Sequence, residues 1–297
     1  MSFKSGFVTI IGRPNVGKST LANAILGEKI AIMSDKPQTT RNRINAIHTD
    51  EECQIVFIDT PGLHKPKNKL GDFMVGSALD TLKEVDVVVY LVDDSDRIGP
   101  GDEFILERLV DIKTPVILAI NKVDLISPER YAKIVNNYKN YPFIKEIISI
   151  SALNNKNIEH LMAYIKNFLV EGPMYYPGDI LTDQPEKAVC AEIIREKLLH
   201  YLDDEIPHGV AVEIDSFKER KKQDMIDIRA TIICERESHK GIIIGKNGRK
   251  LKGVGKSARE DIERLLGTKV FLELWVKVRP GWRDSDTFLK NFGYKKD

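Results

Sequence analysis

Along the first 170 residues, short continuous apolar runs alternate with stretches in which apolar residues recur every three or four positions. The runs fall at residues 6–11, 54–59, 86–93, 115–121 and 146–151, are rich in β-branched residues, and end in polar, glycine or proline punctuation. Continuous rather than alternating hydrophobicity marks strands covered on both faces, as in a mainly parallel sheet. Residues 19–26, 104–110 and 158–169 carry the helical spacing between them. Strand–helix alternation of this length predicts a doubly wound α/β domain.

The pattern breaks at Gly172-Pro173-Met174-Tyr175-Tyr176-Pro177-Gly178, and Pro185 closes the same stretch. Prolines at this density cannot continue a helix, which sets a linker at 173–185 after a domain over 1–172. Beyond it the order changes to a helix at 186–201, alternating strands at 210–217 and 225–234, a basic helical segment, and a strand at 270–278. That order predicts a smaller α+β domain over 186–280 with a tail at 281–297.

A length of 297 residues agrees with two domains, and 42% apolar with 30% charged residues describes a folded globular chain. Forty-five Lys and Arg against 44 Asp and Glu exclude a wholesale polycation, although not a local basic patch. The three cysteines, Cys53, Cys190 and Cys234, are far apart, which argues against a disulfide framework or a zinc site and suits a reducing compartment. No apolar run has membrane-spanning length, and neither a signal peptide nor a lipidation motif is found. A cytoplasmic protein is expected.

Four loops carry the chemistry. Gly12-Arg13-Pro14-Asn15-Val16-Gly17-Lys18-Ser19 fits GxxxxGK[ST] between a strand and a helix that continues through Thr20. In that setting the backbone N–H groups wrap a polyphosphate, Lys18 reaches the β- and γ-phosphates, and the Ser19 hydroxyl ligates magnesium. Asp59-Thr60-Pro61-Gly62 ends the next apolar run, where a carboxylate can hold magnesium through water and a glycine N–H can meet the γ-phosphate. Asn121-Lys122-Val123-Asp124 follows the strand at 115–121. There Asp124 can accept from both N1–H and the exocyclic amine of guanine, donors that adenine lacks. Asn121 would tie the loops together, with the Lys122 stem over a ring face. Ser151-Ala152-Leu153 can offer the Ala152 N–H to the guanine carbonyl oxygen.

In this order and spacing the loops resemble the Ras-like GTPase family over about 165 residues. The resemblance assigns Thr40, in preference to the adjacent Thr39, to a loop that completes magnesium coordination and senses the γ-phosphate. Lys18, Thr40 and Gly62 are then the residues that act on the transferred group. Many family members carry a glutamine just after the DxxG glycine to orient the attacking water; here Leu63 stands there, followed by His64. Slow hydrolysis is expected unless something else aligns that water. Asn15 either ligates a potassium ion beside the phosphates, as in GTPases whose phosphate loop reads like this one, or only shapes the loop.

In the second half, residues 238–259 hold seven basic side chains and no acidic one. Set in that run is Ile242-Ile243-Ile244-Gly245-Lys246-Asn247-Gly248-Arg249. A GxxG turn between two short helices resembles a type II KH domain, which clamps a nucleotide backbone. Ile244, Gly245, Lys246, Asn247, Gly248, Arg249, Lys252 and Lys256 are the expected RNA contacts. Trp282 either stacks a base or seals a domain edge.

A GTPase domain followed by one KH domain, with Pro37-Gln38-Thr39-Thr40-Arg41 in the effector loop, resembles the bacterial Era family along essentially the whole chain. The resemblance implies binding of GTP and GDP, and of the 3′ end of small-subunit ribosomal RNA. It also implies a role in maturation of the small ribosomal subunit and peripheral association with the inner face of the membrane; a monomer is expected. GTP and magnesium would order loops at 29–41 and 63–82. An RNA chaperone with a structural nucleotide, or the GTPase subunit of an RNA-modification complex, are the rival classes.

Overall fold

The apolar run ahead of Gly12 is strand β1 (Lys4–Ile11), flanked in parallel by β3 (Cys53–Asp59) and β4 (Val87–Val92). β5 (Val116–Ile120) and β6 (Ile144–Ser149) extend the parallel array beyond β4, while β2 (Ile44–Thr49) pairs antiparallel with β3. The spatial order is β2-β3-β1-β4-β5-β6, with the short β7 (Val170–Glu171) antiparallel to the start of β1. This computed structural model describes all residues except 1, 28–40, 42, 64, 65, 67, 204, 205, 221, 222 and 295–297.

Every residue of β3, β4 and β5 is buried, which is why these strands read as unbroken apolar runs. On one face they pack against α1 (Lys18–Leu26) and α5 (Ile158–Phe168) through Leu21, Ile25, Leu161 and Ile165. On the other lie α2 (Lys69–Thr81), α3 (Pro100–Leu109) and α4 (Pro128–Tyr138), anchored by Ala78, Ile105, Leu109 and Ile134. Because β1, β3, β5 and β6 run parallel, the loops that follow them emerge along one edge of the sheet, the usual place for a ligand crevice.

The stretch read as the linker lies against the first unit. Gln54, buried in β3, accepts from the Tyr175 and Tyr176 N–H groups at 2.7 and 3.0 Å and donates to the Tyr176 carbonyl at 2.8 Å. Ile47 N–H donates to Leu181 O at 2.8 Å, so the β2 edge is capped as well. The division between the two compact units falls at Asp183/Gln184.

The second unit begins with α6 (Glu186–Tyr201) and continues through β8 (Ala211–Arg220), β9 (Met225–Cys234), α7 (Glu237–Ile244), α8 (Arg249–Leu266) and β10 (Lys269–Val278). Its sheet order is β10-β9-β8, with β8 antiparallel and β10 parallel to β9. A parallel pair needs a crossover, which α7 and α8 supply. Val189, Ile193 and Leu198 of α6 meet Val254, Ala258 and Ile262 of α8 over the inner residues of β9.

The tail belongs to this unit. Trp282 is fully buried; its indole N–H donates to Gly209 O at 3.0 Å, and its ring sits beside those of Phe292 and Tyr294. It therefore seals the unit and presents no face for a base, which removes the stacking alternative. Helix α9 (Asp286–Asn291) follows, started by Ser285 and pinned by the buried Leu289. Among the described residues no helix is long and apolar enough to cross a membrane.

Candidate nucleotide site and nucleic-acid interface

The glycine-rich turn after β1 leads into α1 through Gly17, which has φ +103°. A Cβ at this position would come within 2.3 Å of the Asn121 side-chain nitrogen, so only glycine lets the two loops close on each other. Lys18, at the start of α1, is buried and donates to the carbonyls of Gly12 at 3.2 Å and Arg13 at 2.9 Å. Burial pushes its ammonium down to about 8, against the opposing pull of Asp59. A cation held this dry is stabilised by any phosphate that reaches it.

Ser19 Oγ stands 3.2 Å from Asp59 Oδ2, and Asp59 itself is fully buried at the end of β3. The two oxygens are hard donors of the kind a small divalent cation requires, with the remaining positions left to water and phosphate. Thr60 fixes the turn by donating to Ile10 O at 3.2 Å, and Pro61 is buried beside it. Gly62 lies so near the phosphate loop that a Cβ there would be 3.2 Å from both Lys18 Nζ and Pro14 N. Asn15 is exposed at the rim with φ +68°, Val16 is buried beneath the loop, and Thr20 is half-buried on α1.

Asn121 joins three segments. Its Nδ2 donates to Val16 O at 2.8 Å and its Oδ1 accepts from the Ala152 N–H at 3.0 Å. The Ala152 amide, expected to face a base carbonyl, is thus engaged by Asn121, because the buried side-chain amide has both its donor and its acceptor to satisfy. Lys122 takes a left-handed conformation (φ +61°), and a 3-10 turn at Val123–Leu125 leaves Asp124 exposed. Ser151 accepts from the Asn154 backbone and side chain at 3.3 and 3.1 Å, and Leu153 is 80% exposed beyond it. Thr39, Thr40 and His64 lie outside the described residues. Leu63 is buried in the core on the α2–α3 face, so its side chain is a packing residue.

Motif reading missed one anchor. The Arg13 side chain turns away from the phosphate cradle to Asp93 at 2.8 Å, Asp102 at 2.9 Å and Ser95 at 3.3 Å. A wildcard position in a motif carries no signal of such a distant pairing.

In the second unit α7 ends at Gly245, the turn Lys246–Gly248 passes through left-handed Asn247 and Gly248, and α8 starts at Arg249. Lys246, Asn247 and Arg249 belong to the solvent-facing turn, and Ile244 is half-buried under them. Lys252, Lys256 and Arg259 recur at four and three residues and share one exposed face of α8. Together with Leu272 and Leu274 of β10 these cations border a cleft of about 740 Å³. The first turn of α8 contains no acidic residue. Cations at a helix N-terminus oppose the macrodipole, but together they make a strong anion site.

These features define a P-loop GTPase that carries a C-terminal KH domain. Residues 7–122 match the family of 50S ribosome-binding GTPases and residues 205–283 the KH domain family. GTPase Era of Alkaliphilus metalliredigens is 63% identical over 295 residues, covering 99% of this chain and 100% of that protein. GTPase Era of Clostridioides difficile is 60% identical over 98% of this chain and 99% of that one. The chain belongs to the Era family of GTPases. A crystal structure of an Aquifex aeolicus Era variant bound to GDP.AlF4- superposes with a TM-score of 0.95 at 42% identity, over 99% of this chain and 100% of that chain. A structure of Era in complex with MgGDPNP and nucleotides 1506–1542 of 16S ribosomal RNA matches equally, with TM-score 0.95 and 42% identity over 99% of this chain and 100% of that chain.

Proposed function

We propose that this chain is a cytoplasmic GTP-dependent switch that grips the 3′ end of small-subunit ribosomal RNA in the α8 cleft and assists maturation of that subunit. The observation that carries the RNA half is the acid-free, cationic start of α8 opening onto a cleft floored by Leu272 and Leu274. Phosphates are drawn to the helix end and the GxxG turn, while bases rest on the apolar floor. That a relative was crystallised with both MgGDPNP and a 16S fragment supports the same pairing here.

In the nucleotide site, Ser19 and Asp59 would hold magnesium, directly and through water, and Thr40 would complete the set. Bound magnesium neutralises charge on the β- and γ-phosphates. Lys18 contributes a preorganised cation to the same oxygens, Gly62 offers its N–H to the γ-phosphate, and Asp124 reads the guanine edge. Inosine lacks the exocyclic amine, so ITP should bind more weakly than GTP, and ATP far more weakly. Asn15, exposed at the rim, would ligate potassium, and equal turnover in sodium and potassium overturns that assignment.

Coupling requires that RNA bind the GTP and GDP forms unequally, since linkage is reciprocal. The test is the affinity of the 1506–1542 RNA with GTP analogue and with GDP, in wild type and Gly248→Asp. Gly248 has φ +72°, and a Cβ added there would meet nothing within 4 Å. Aspartate is among the few side chains that visit this left-handed region, so it can be accommodated while its charge repels phosphate. Equal affinities in the two nucleotide states overturn the switch; undiminished binding by Gly248→Asp overturns the cleft.

A further inference from the structure

Successive residues of β10 point to opposite sides of the sheet, and the two sides differ in character. Leu272 and Leu274 face the basic cleft, whereas Phe271 and Trp275 face outward and are 50% and 61% exposed. These are large apolar surfaces to leave in water; Trp282, the other tryptophan, is fully buried. Four strand residues separate the two rings by roughly 13 Å, too far to form one aromatic cluster and far enough to meet separate bases.

The charges in the same row select the partner. Lys269 and Lys277 lie on the outward side of β10 beyond Phe271 and Trp275, and both are exposed. Lys269 reaches Glu263 at 3.8 Å, an exposed contact that a phosphate can displace, and Lys277 shares a small pocket with Glu213, Asp215 and Arg279. The one carboxylate between the rings, Glu273, is paired with Arg229 at 2.9 Å. Arg220, whose guanidinium lies 5.6 Å from the Phe271 ring centroid, neutralises Asp227 at 2.7 Å. An aromatic row ended by ammonium groups suits a chain that alternates flat bases with phosphates; an apolar protein surface would leave those ammoniums poorly solvated. β10 is also the edge of its sheet, so only the thickness of one strand separates this row from the cleft.

We infer that the outward face of β10 is a second single-stranded RNA platform. Phe271 and Trp275 stack bases of the segment that overruns the α8 cleft, and Lys269 and Lys277 meet its phosphates. This rests on the reading that the cleft takes RNA, and the test separates the two. End-labelled RNA of 16S nucleotides 1506–1542 is titrated with full-length chain at fixed salt, following anisotropy and tryptophan emission together. Wild-type binding should quench the exposed Trp275. Trp275→Leu should weaken affinity about ten-fold, as loss of one stacked base does, while Trp275→Tyr stays close to wild type. GTP hydrolysis without RNA should be unchanged in both. If Trp275→Leu binds like wild type while Gly248→Asp does not, the platform is wrong and the cleft stands. No binding by wild type overturns the cleft reading and the platform with it. Loss of a sedimenting dimer in Trp275→Leu, with RNA affinity intact, makes the face a protein contact and overturns the inference.

Discussion

The guanidinium of Arg13 lies 2.9 Å from the carboxylate of Asp102, whose side chain is 1% exposed. Asp102 also accepts from the Tyr90 hydroxyl at 3.0 Å, and Tyr90 packs edge-on against Tyr138. Burial alone would lower the Arg13 pKa, but Asp102 and Asp93 outweigh it and hold the group above its ordinary value. The second residue of the phosphate loop is thereby fixed to the first turn of α3 and the end of β4.

Removing Asp102 should therefore do more than delete a charge. Asp102→Ala strands the Tyr90 hydroxyl and half of the Arg13 pairing inside the fold, a change expected to cost about 3 kcal/mol. Urea unfolding of Asp102→Ala, Arg13→Ala and the double variant should show a coupling of at least about 1 kcal/mol. Strict additivity would mean that the pair does not act as an anchor.

Lys18 predicts a pH dependence. Its folded-state pKa of about 8 lies below the ordinary 10.5, so the protonated form is disfavoured by folding. The cost is fully present below pH 8, and stability of the nucleotide-free chain should rise as pH climbs from about 8 to 10.5, by up to about 3 kcal/mol. Phosphate favours the charged form, so GTP affinity should fall above pH 8 and binding there should take up a proton. Calorimetry in buffers of different ionisation enthalpy measures that uptake. Lys18→Met should abolish it, raise the stability of the nucleotide-free chain near pH 7, and lose GTP.

What could be read from sequence was what is local. The strands β3, β4 and β5 announced themselves because each is buried on both faces, and the phosphate loop because its chemistry lies within eight consecutive residues. β2 did not, since His48 and Thr49 at its end are only half-buried and its inward residues, Ile44, Ala46 and Ile47, do not alternate. α2 was hidden by Gly71 and Gly76, poor helix formers whose place in a helix is set by packing of Met74 and Ala78. The Arg13–Asp102 pair spans 89 residues, and the fate of Trp282 depends on the Gly209 carbonyl, 73 residues away. Neither distance is encoded in a periodicity.

Asn121 is the joint between its own loop, the glycine-rich turn at Val16 and the turn at 151–153. Asn121→Ala leaves the Val16 carbonyl and the Ala152 N–H without their partner in a buried setting, costing about 2–3 kcal/mol. Because the loops then drift relative to each other, GTP affinity should fall by more than stability does, on the order of 100-fold. Asn121→Asp should be no better, since it places a carboxylate against the Val16 carbonyl. A fluorescent GTP titration beside thermal unfolding separates the two effects; parallel losses would reduce Asn121 to a packing residue.

The missing glutamine suggests an obvious repair that the fold rejects. Leu63 is 1% exposed and packs with Leu82, Val85 and Ile105, so a longer polar side chain at 63 enters the core before it can reach the γ-phosphate. Leu63→Gln should destabilise the chain by about 2–4 kcal/mol through a buried, unsatisfied amide. Single-turnover GTP hydrolysis should not accelerate. A gain in hydrolysis rate with unchanged unfolding free energy would mean that the loop turns residue 63 toward the nucleotide, and that alignment of the attacking water can be supplied from this position after all.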